Sequence, residues 1–285
     1  MRFLAPDNLL TSRPSLHTGL ARNFSESAYP GLWQGLKGLW CPSVGIQGRQ
    51  LIDFSGYGHT GLFSSGMGMD AWTPSPYGWA LKYDGTDDCI NLGTGIVDLN
   101  GEFTILARAR LDDIATDTYI AVGASNNVAT ATTGYMMFIH KVGKGGYVLQ
   151  YDEGAPAAAY STSPNKAAIA NQWYTVVMRR MSTGILMFQD DYVTISDSTN
   201  PTFLTSTTQN WGIGTYDPVN VSVLFKGQIG DVMIWNRGLS PREMELVSQG
   251  FAHPLTLAEK YTFAPPHATG SVSVAGGMML MGVGG

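Results

Sequence analysis

Charge is scarce in this chain. Only 14% of its 285 residues are Asp, Glu, Lys or Arg, and the formal net charge is −5. No cluster of Lys and Arg offers a face for a phosphate backbone, so nucleic acid is not an expected partner. Cysteine is almost missing: Cys41 and Cys89 are the whole supply. Two cysteines cannot make a disulfide framework. Each sits in an apolar run, so a buried free thiol is expected at both, with a bridge as the alternative if the front-end strands lie side by side. There is no run of about 18 apolar residues, and so no expected helical membrane span. Residues 1–30 carry Arg2, Arg13 and Arg22 and no continuous apolar stretch. No secretory leader is expected there, and the protein is expected to be made in a cytoplasm and not secreted by the usual route.

What the chain does have is glycine, 35 residues of it, and aromatics at 11%. With so little charge, this composition suits strands and turns. Phe103–Leu111 alternates toward its end, with Arg108 and Arg110 on one face. Tyr119–Gly123, Tyr135–His140, Tyr147–Tyr151, Trp173–Arg179 and Ile185–Ile195 are further β-rich runs, the last broken at Gln189–Asp191. Trp211–Gly214 and Gly227–Trp235 close the series. Many strands with no helices between them predict a sandwich or barrel. One helix is expected, over Ser240–Ser248. Ser240 is a good N-cap, Pro241 suits the first helical position, and Glu243 stands three residues after the cap, in capping-box register.

Three parts follow: an N-terminal arm over 1–35, a β domain over 36–250, and a C-terminal arm over 251–285. The N-terminal arm fits neither period, yet it is too apolar for a free tail. It is expected to order against a neighbour or its own domain. The last sixteen residues, Gly270–Gly285, carry no charge. Val272, Val274, Met278, Met279, Leu280 and Met281 there are expected to dock in an assembly, since an exposed uncharged apolar tail invites aggregation.

Several segments stand in a telling order. L-K-G-L-W spans Leu36–Trp40, D-F-S-G-Y-G-H-T-G spans Asp53–Gly61, L-K-Y-D-G-T-D-D-C-I-N-L spans Leu81–Leu92, and I-G-D-V-M-I-W-N-R-G-L-S spans Ile229–Ser240. This set resembles the laminin-G-like branch of the concanavalin A-like lectin/glucanase superfamily. The resemblance implies an all-β jelly-roll sandwich of two antiparallel sheets, one short C-terminal helix and extended terminal arms. It departs from the usual pattern at Cys89, Gly230 and Met233.

The resemblance also implies sites. Many members hold one calcium ion; the matching acids here are Asp53 and Asp231, helped by carbonyls near Ser55 and Gly58. The competing reading has Asp53 capping a turn and Asp231 serving as a surface or hydrogen-bonding residue. Asp87–Asp88 is an alternative acidic pair. Glucanases of the superfamily carry two Glu on one strand, the close carboxyl pair that retaining hydrolysis needs. No strand here has that spacing, and no Ser elbow, Cys–His pair or H-E-x-x-H pattern occurs. No catalysis is expected, and His140 is read as structural.

Sugar sites stack a ring on an aromatic face. The candidates are Tyr57, His59, Trp72, Tyr77, Trp79, Trp211 and Tyr216, weighed against the reading that most are core or edge aromatics. The first expectation for function is a non-catalytic phage virion protein decorating a capsid or tail. It would be assembled in the host cytoplasm, bound to other virion proteins and to copies of itself, with surface glycans as a further contact. The alternative is a bacterial carbohydrate-binding adhesion module.

Overall fold

The computed structural model describes residues 20–98, 101–114, 118–125, 133–141, 148–153, 158–162, 169–182, 184–189, 195–197, 210–215, 218–219 and 224–258. Its strands are β1 (Leu36–Trp40), β2 (Gln50–Leu51), β3 (Gly61–Phe63), β4 (Trp72–Ser75), β5 (Gly78–Asp84), β6 (Ile90–Thr94), β7 (Phe103–Leu111) and β8 (Thr118–Ser125). They continue as β9 (Thr133–Lys141), β10 (Val148–Glu153), β11 (Ala158–Thr162), β12 (Trp173–Met181), β13 (Gly184–Gln189), β14 (Ile195–Asp197), β15 (Asn210–Ile213) and β16 (Lys226–Trp235). One sheet runs β14-β13-β12-β7-β16-β5-β4, with β1 also on β16; the other runs β11-β10-β9-β8-β15-β6-β3-β2. Every pairing is antiparallel. This is the sandwich of two antiparallel sheets that the family resemblance implies, and of the two architectures the strand pattern left open it is the sandwich.

Strand alternation feeds two cores. Ile105, Ala107 and Ala109 of β7, Val176 and Met178 of β12 and Val232 and Ile234 of β16 point between the sheets, where they meet Trp40, Tyr83 and Phe225. Their neighbours Leu106, Val177, Met233 and Trp235 point the other way, into a second core. That outer core is closed by the helix α1 (Pro241–Ser248) through Met244 and Val247, and by Leu32 and Leu255. Strands buried on both faces read as continuous apolar runs, which is why β7 and β16 alternate so weakly. Ile234 and Trp235 are both buried because each has a core of its own.

The helix begins as its sequence requires. Ser240 Oγ accepts the Glu243 amide, and the Glu243 carboxylate accepts the Ser240 amide. Glu243 also pairs with Arg237 at 2.6 Å. Burial would raise the Glu243 pKa, but the bonds from Arg237 and Ser240 outweigh it and hold the carboxyl below its ordinary value.

Segments 20–35 and 251–258 lie against each other on the outer face. Ala21 donates its amide to Leu255 O at 2.9 Å, Ala28 donates to Thr256 O at 2.8 Å, and Ala258 donates to Glu26 O at 2.9 Å. Trp33 Nε1 donates to Pro254 O at 2.9 Å. Both cysteines are buried and free, as expected, and the alternative of a bridge between them is not realised. The tail residues Val272, Val274, Met278, Met279, Leu280 and Met281 lie outside the described residues, as does the Asp190–Asp191 turn.

Candidate functional site

One open site grows from the loop after β2. The loop is organised by Asp53, a buried carboxylate that accepts three backbone amides: Leu39 at 3.0 Å and Ser55 at 2.9 Å on Oδ1, and His59 at 3.0 Å on Oδ2. Ser55 Oγ donates to Lys37 O at 3.1 Å. Gly56 and Gly58 take φ of 89° and 82°, a left-handed backbone that glycine adopts at no steric cost. The far end of the loop is pinned to the core, because Trp40 Nε1 donates to His59 O at 2.7 Å. The result is a rigid loop that carries Tyr57 outward, 56% exposed.

Tyr57 stands at the mouth of a pocket of about 310 Å³ lined also by Lys37, His59, Asp98, Glu102 and Asn236. The Lys37 ammonium sits 3.9 Å from the Tyr57 ring centroid. The far wall is braced: Arg180 Nη1 donates to Gly101 O at 2.7 Å and the Ser182 amide to Glu102 Oε1 at 3.3 Å. An aromatic ring beside convergent hydroxyl acceptors and donors, in a concave site of this size, suits a small polar ligand with one apolar face.

The other sugar candidates fall elsewhere. Trp72 and Trp211 are core residues, so neither presents a ring face to solvent. Trp72 also spends its Nε1–H on Gly48 O. Tyr77 is half-buried, packed edge-on against Trp173 with the Arg108 guanidinium 5.0 Å from its ring. Trp79 is partly buried against the inner core. Tyr216 lies outside the described residues. Among the described candidates, Tyr57 and His59 alone meet in one pocket.

A calcium ion at Asp53 and Asp231 would have to compete with the partners these carboxylates already have. A calcium ion takes six to eight oxygens. Both oxygens of Asp53 already face amide N–H groups, which repel a cation. Asp231 faces the Ser43 amide at 3.3 Å, Arg108 Nη1 at 3.9 Å and His253 Nε2 at 3.6 Å. A guanidinium and an imidazole are no partners for a hard cation. Asp87 and Asp88 do meet Asp84 in a carboxylate group at the surface, but it is a turn stabilised from within. Asp84 Oδ1 accepts the Thr86 amide and Asp88 Oδ2 the Asp84 amide. Adding calcium or a chelator should thus leave the melting temperature unchanged, because an ion that binds the folded state must raise it. A calcium-dependent rise, abolished by Asp53→Asn, would overturn this.

Sequence reasoning missed a buried cluster. Cys41, Asp231 and His253 converge with ligand-type atoms within 4.8 Å of one another. His253 Nδ1 accepts the Leu255 amide at 3.1 Å, so the neutral ring carries its proton on Nε2. That N–H points at Asp231 Oδ2 and at Cys41 Sγ, 3.7 Å away. A protonated Nε2 cannot ligate a metal, and Arg108 already balances the Asp231 charge. Nor is this a nucleophile–base pair. Cys41 is fully buried, and burial, followed by the Asp231 charge, pushes its thiol well above the ordinary 9.0; reactive cysteines show the reverse. The four residues come from distant parts of the chain, and no local motif announces them.

The comparisons agree with this architecture. A family model described as the concanavalin A-like lectin/glucanases superfamily matches residues 84–245. No curated protein matches the sequence. Among solved structures, domain 4 of an extracellular arabinanase from Geobacillus stearothermophilus, in complex with arabinotriose, is similar at TM-score 0.59 and 16% identity, over 75% of this chain and 98% of that one. A Trypanosoma rangeli sialidase mutant displaying trans-sialidase activity follows at TM-score 0.56 and 15% identity, covering 76% of this chain but 33% of its own. The binding domain of botulinum neurotoxin serotype C1 gives TM-score 0.54 and 13% identity, over 77% and 52%. At these identities the likeness is one of fold.

Proposed function

The chain belongs to the concanavalin A-like lectin/glucanase superfamily, and on that premise we propose that it is a non-catalytic carbohydrate-binding module whose sugar site is the Tyr57 pocket. One observation carries the reading: an exposed aromatic ring, held by a loop that Asp53 and Trp40 make rigid, at the mouth of a pocket with polar side chains on its walls. Preorganisation of this kind lowers the entropy lost on binding. The arabinanase domain in complex with arabinotriose supports it as a relative in fold.

Tyr57→Ala tests the site. The side chain is exposed, so stability should change by no more than about 0.5 kcal/mol. Affinity for a bound oligosaccharide, read by calorimetric titration, should fall about tenfold or more, which is roughly 1.4 kcal/mol. Unchanged affinity would move the site elsewhere.

A second reading, attachment to a virion or similar assembly, is favoured by a different observation. Segments 20–35 and 251–258 pair with each other on the outer face. Terminal segments that meet on one face suit a single anchoring point for a neighbour. Deleting residues 265–285 should leave the domain folded and abolish co-sedimentation with particles. A truncated protein that still co-sediments would sink this reading.

A further inference from the structure

Strand β1 breaks its pairing at one residue, Lys37. Leu36 pairs with Trp235 and Gly38 with Ile234, so Lys37 is the extra residue of a β-bulge. A bulge re-aims the side chain it carries. Leu36 and Leu39 enter the outer core, while Lys37 leaves the buried run and lines the Tyr57 pocket. Ser55 ties the bulge to the loop: its hydroxyl donates to Lys37 O at 3.1 Å and accepts the Tyr57 amide at 3.3 Å. The two side chains then meet, with the ammonium 3.9 Å from the ring centroid, well within cation–π range. Among the described residues no ion pair draws that ammonium away. The carboxylates on the far wall have other partners: Glu102 accepts the Ser182 amide and interacts with Arg179, and Asp98 is engaged elsewhere. Tyr57 has little else to steady it. Gly56 and Gly58 on either side face open space, and Tyr57 itself is 56% exposed.

We propose, resting on the carbohydrate reading above, that Lys37 is a positioning residue of the sugar site: its ammonium holds the Tyr57 ring from one face and leaves the other face to the ligand. A ring held before the ligand arrives loses less freedom on binding. Lys37 acts through Tyr57, and the sugar stacks on the side of the ring away from the ammonium.

The full-length chain is tested in two ways. By NMR, the ring current of Tyr57 should move the Lys37 side-chain protons nearest the ammonium upfield, and Tyr57→Ala should return them to the position of an exposed lysine. Unshifted protons overturn the inference. By calorimetry, the glycan that binds tightest on an array including cellotriose, maltotriose, galactotriose and lactose is titrated into the variants. Lys37→Met should leave the melting temperature unchanged and weaken binding about two- to fivefold, the worth of an exposed cation–π contact. Lys37→Arg should restore it, because a guanidinium also stacks on an aromatic face. In a Tyr57→Ala background, Lys37→Met should change little, since both residues act through one contact. If that background binds too weakly to titrate, the Lys37→Arg rescue decides. Equal loss in both backgrounds, unchanged binding, or tighter binding by Lys37→Met each overturns the role of Lys37 and leaves carbohydrate binding standing. A protein that binds no glycan on the array overturns the carbohydrate reading and this inference together.

Discussion

Asp231→Ala is expected to cost the fold about 3–5 kcal/mol, the usual result of removing one partner from a buried ion pair. The side chain is 1% exposed and Arg108, its nearest cation, 2%. Arg108 Nε and Nη1 have no hydrogen-bond partner among the described residues, so the Asp231 charge is what balances them. Its removal leaves a buried guanidinium without the carboxylate that balances it. Burial alone would raise the Asp231 pKa. His253, Arg108 and Ser43 outweigh it and hold the carboxyl below its ordinary 3.8. A depressed folded pKa gives stability that is complete above the unfolded value and is lost as pH falls through the folded one. Urea unfolding at neutral pH should show the full difference between the two proteins. Below about pH 4 the difference should narrow as the native protein loses this contribution. A neutral-pH cost under about 1 kcal/mol would mean that Arg108 finds another partner.

Trp40→Ala should cost a similar amount, about 3–5 kcal/mol. Trp40 is fully buried between the sheets, and its indole lies over Gly38, where a Cβ would collide with the ring. That contact is the physical reason for glycine two residues before tryptophan in β1. The same indole holds His59 O, so the truncation should also loosen the loop that presents Tyr57. The variant is therefore expected to bind sugar more weakly even under conditions where it remains folded. Stability loss without any loss of affinity would show that the loop is held by Asp53 alone.

These two residues show how far the sequence could be read. β7 was legible to the residue, because Phe103–Leu111 is bounded by turn signals and rich in β-formers. The helix was legible because its cap is a local code. β11 passed unnoticed: Ala158–Thr162 is short, with Tyr160 and Thr162 as its β-formers beside two alanines and a serine, and it is a strand because β10 pairs with it. Trp72 and Trp211 stood among the sugar-stacking candidates, since nothing local says that β4 and β15 turn them inward. Asp53 was recognised, but its partners were not: a carboxylate that gathers amides and one that gathers a cation look alike in sequence. Cys41, Arg108, Asp231 and His253 could not be joined without the fold, because their contacts are tertiary. The segments at 20–35 and 251–258 share that limit, since each is irregular alone and is ordered by tertiary bonds to the other, to β16 and to the helix.

The most direct test of the Tyr57 pocket as a sugar site is a titration of the isotopically labelled protein with a bound neutral oligosaccharide, followed amide by amide by NMR. The expected result is shifts gathered at Lys37, Tyr57–His59 and Gly95–Asp98, with the outer-face amides of Ala21, Ala28 and Leu255 unmoved. Shifts confined to another face, or none with any ligand that binds by calorimetry, would contradict it.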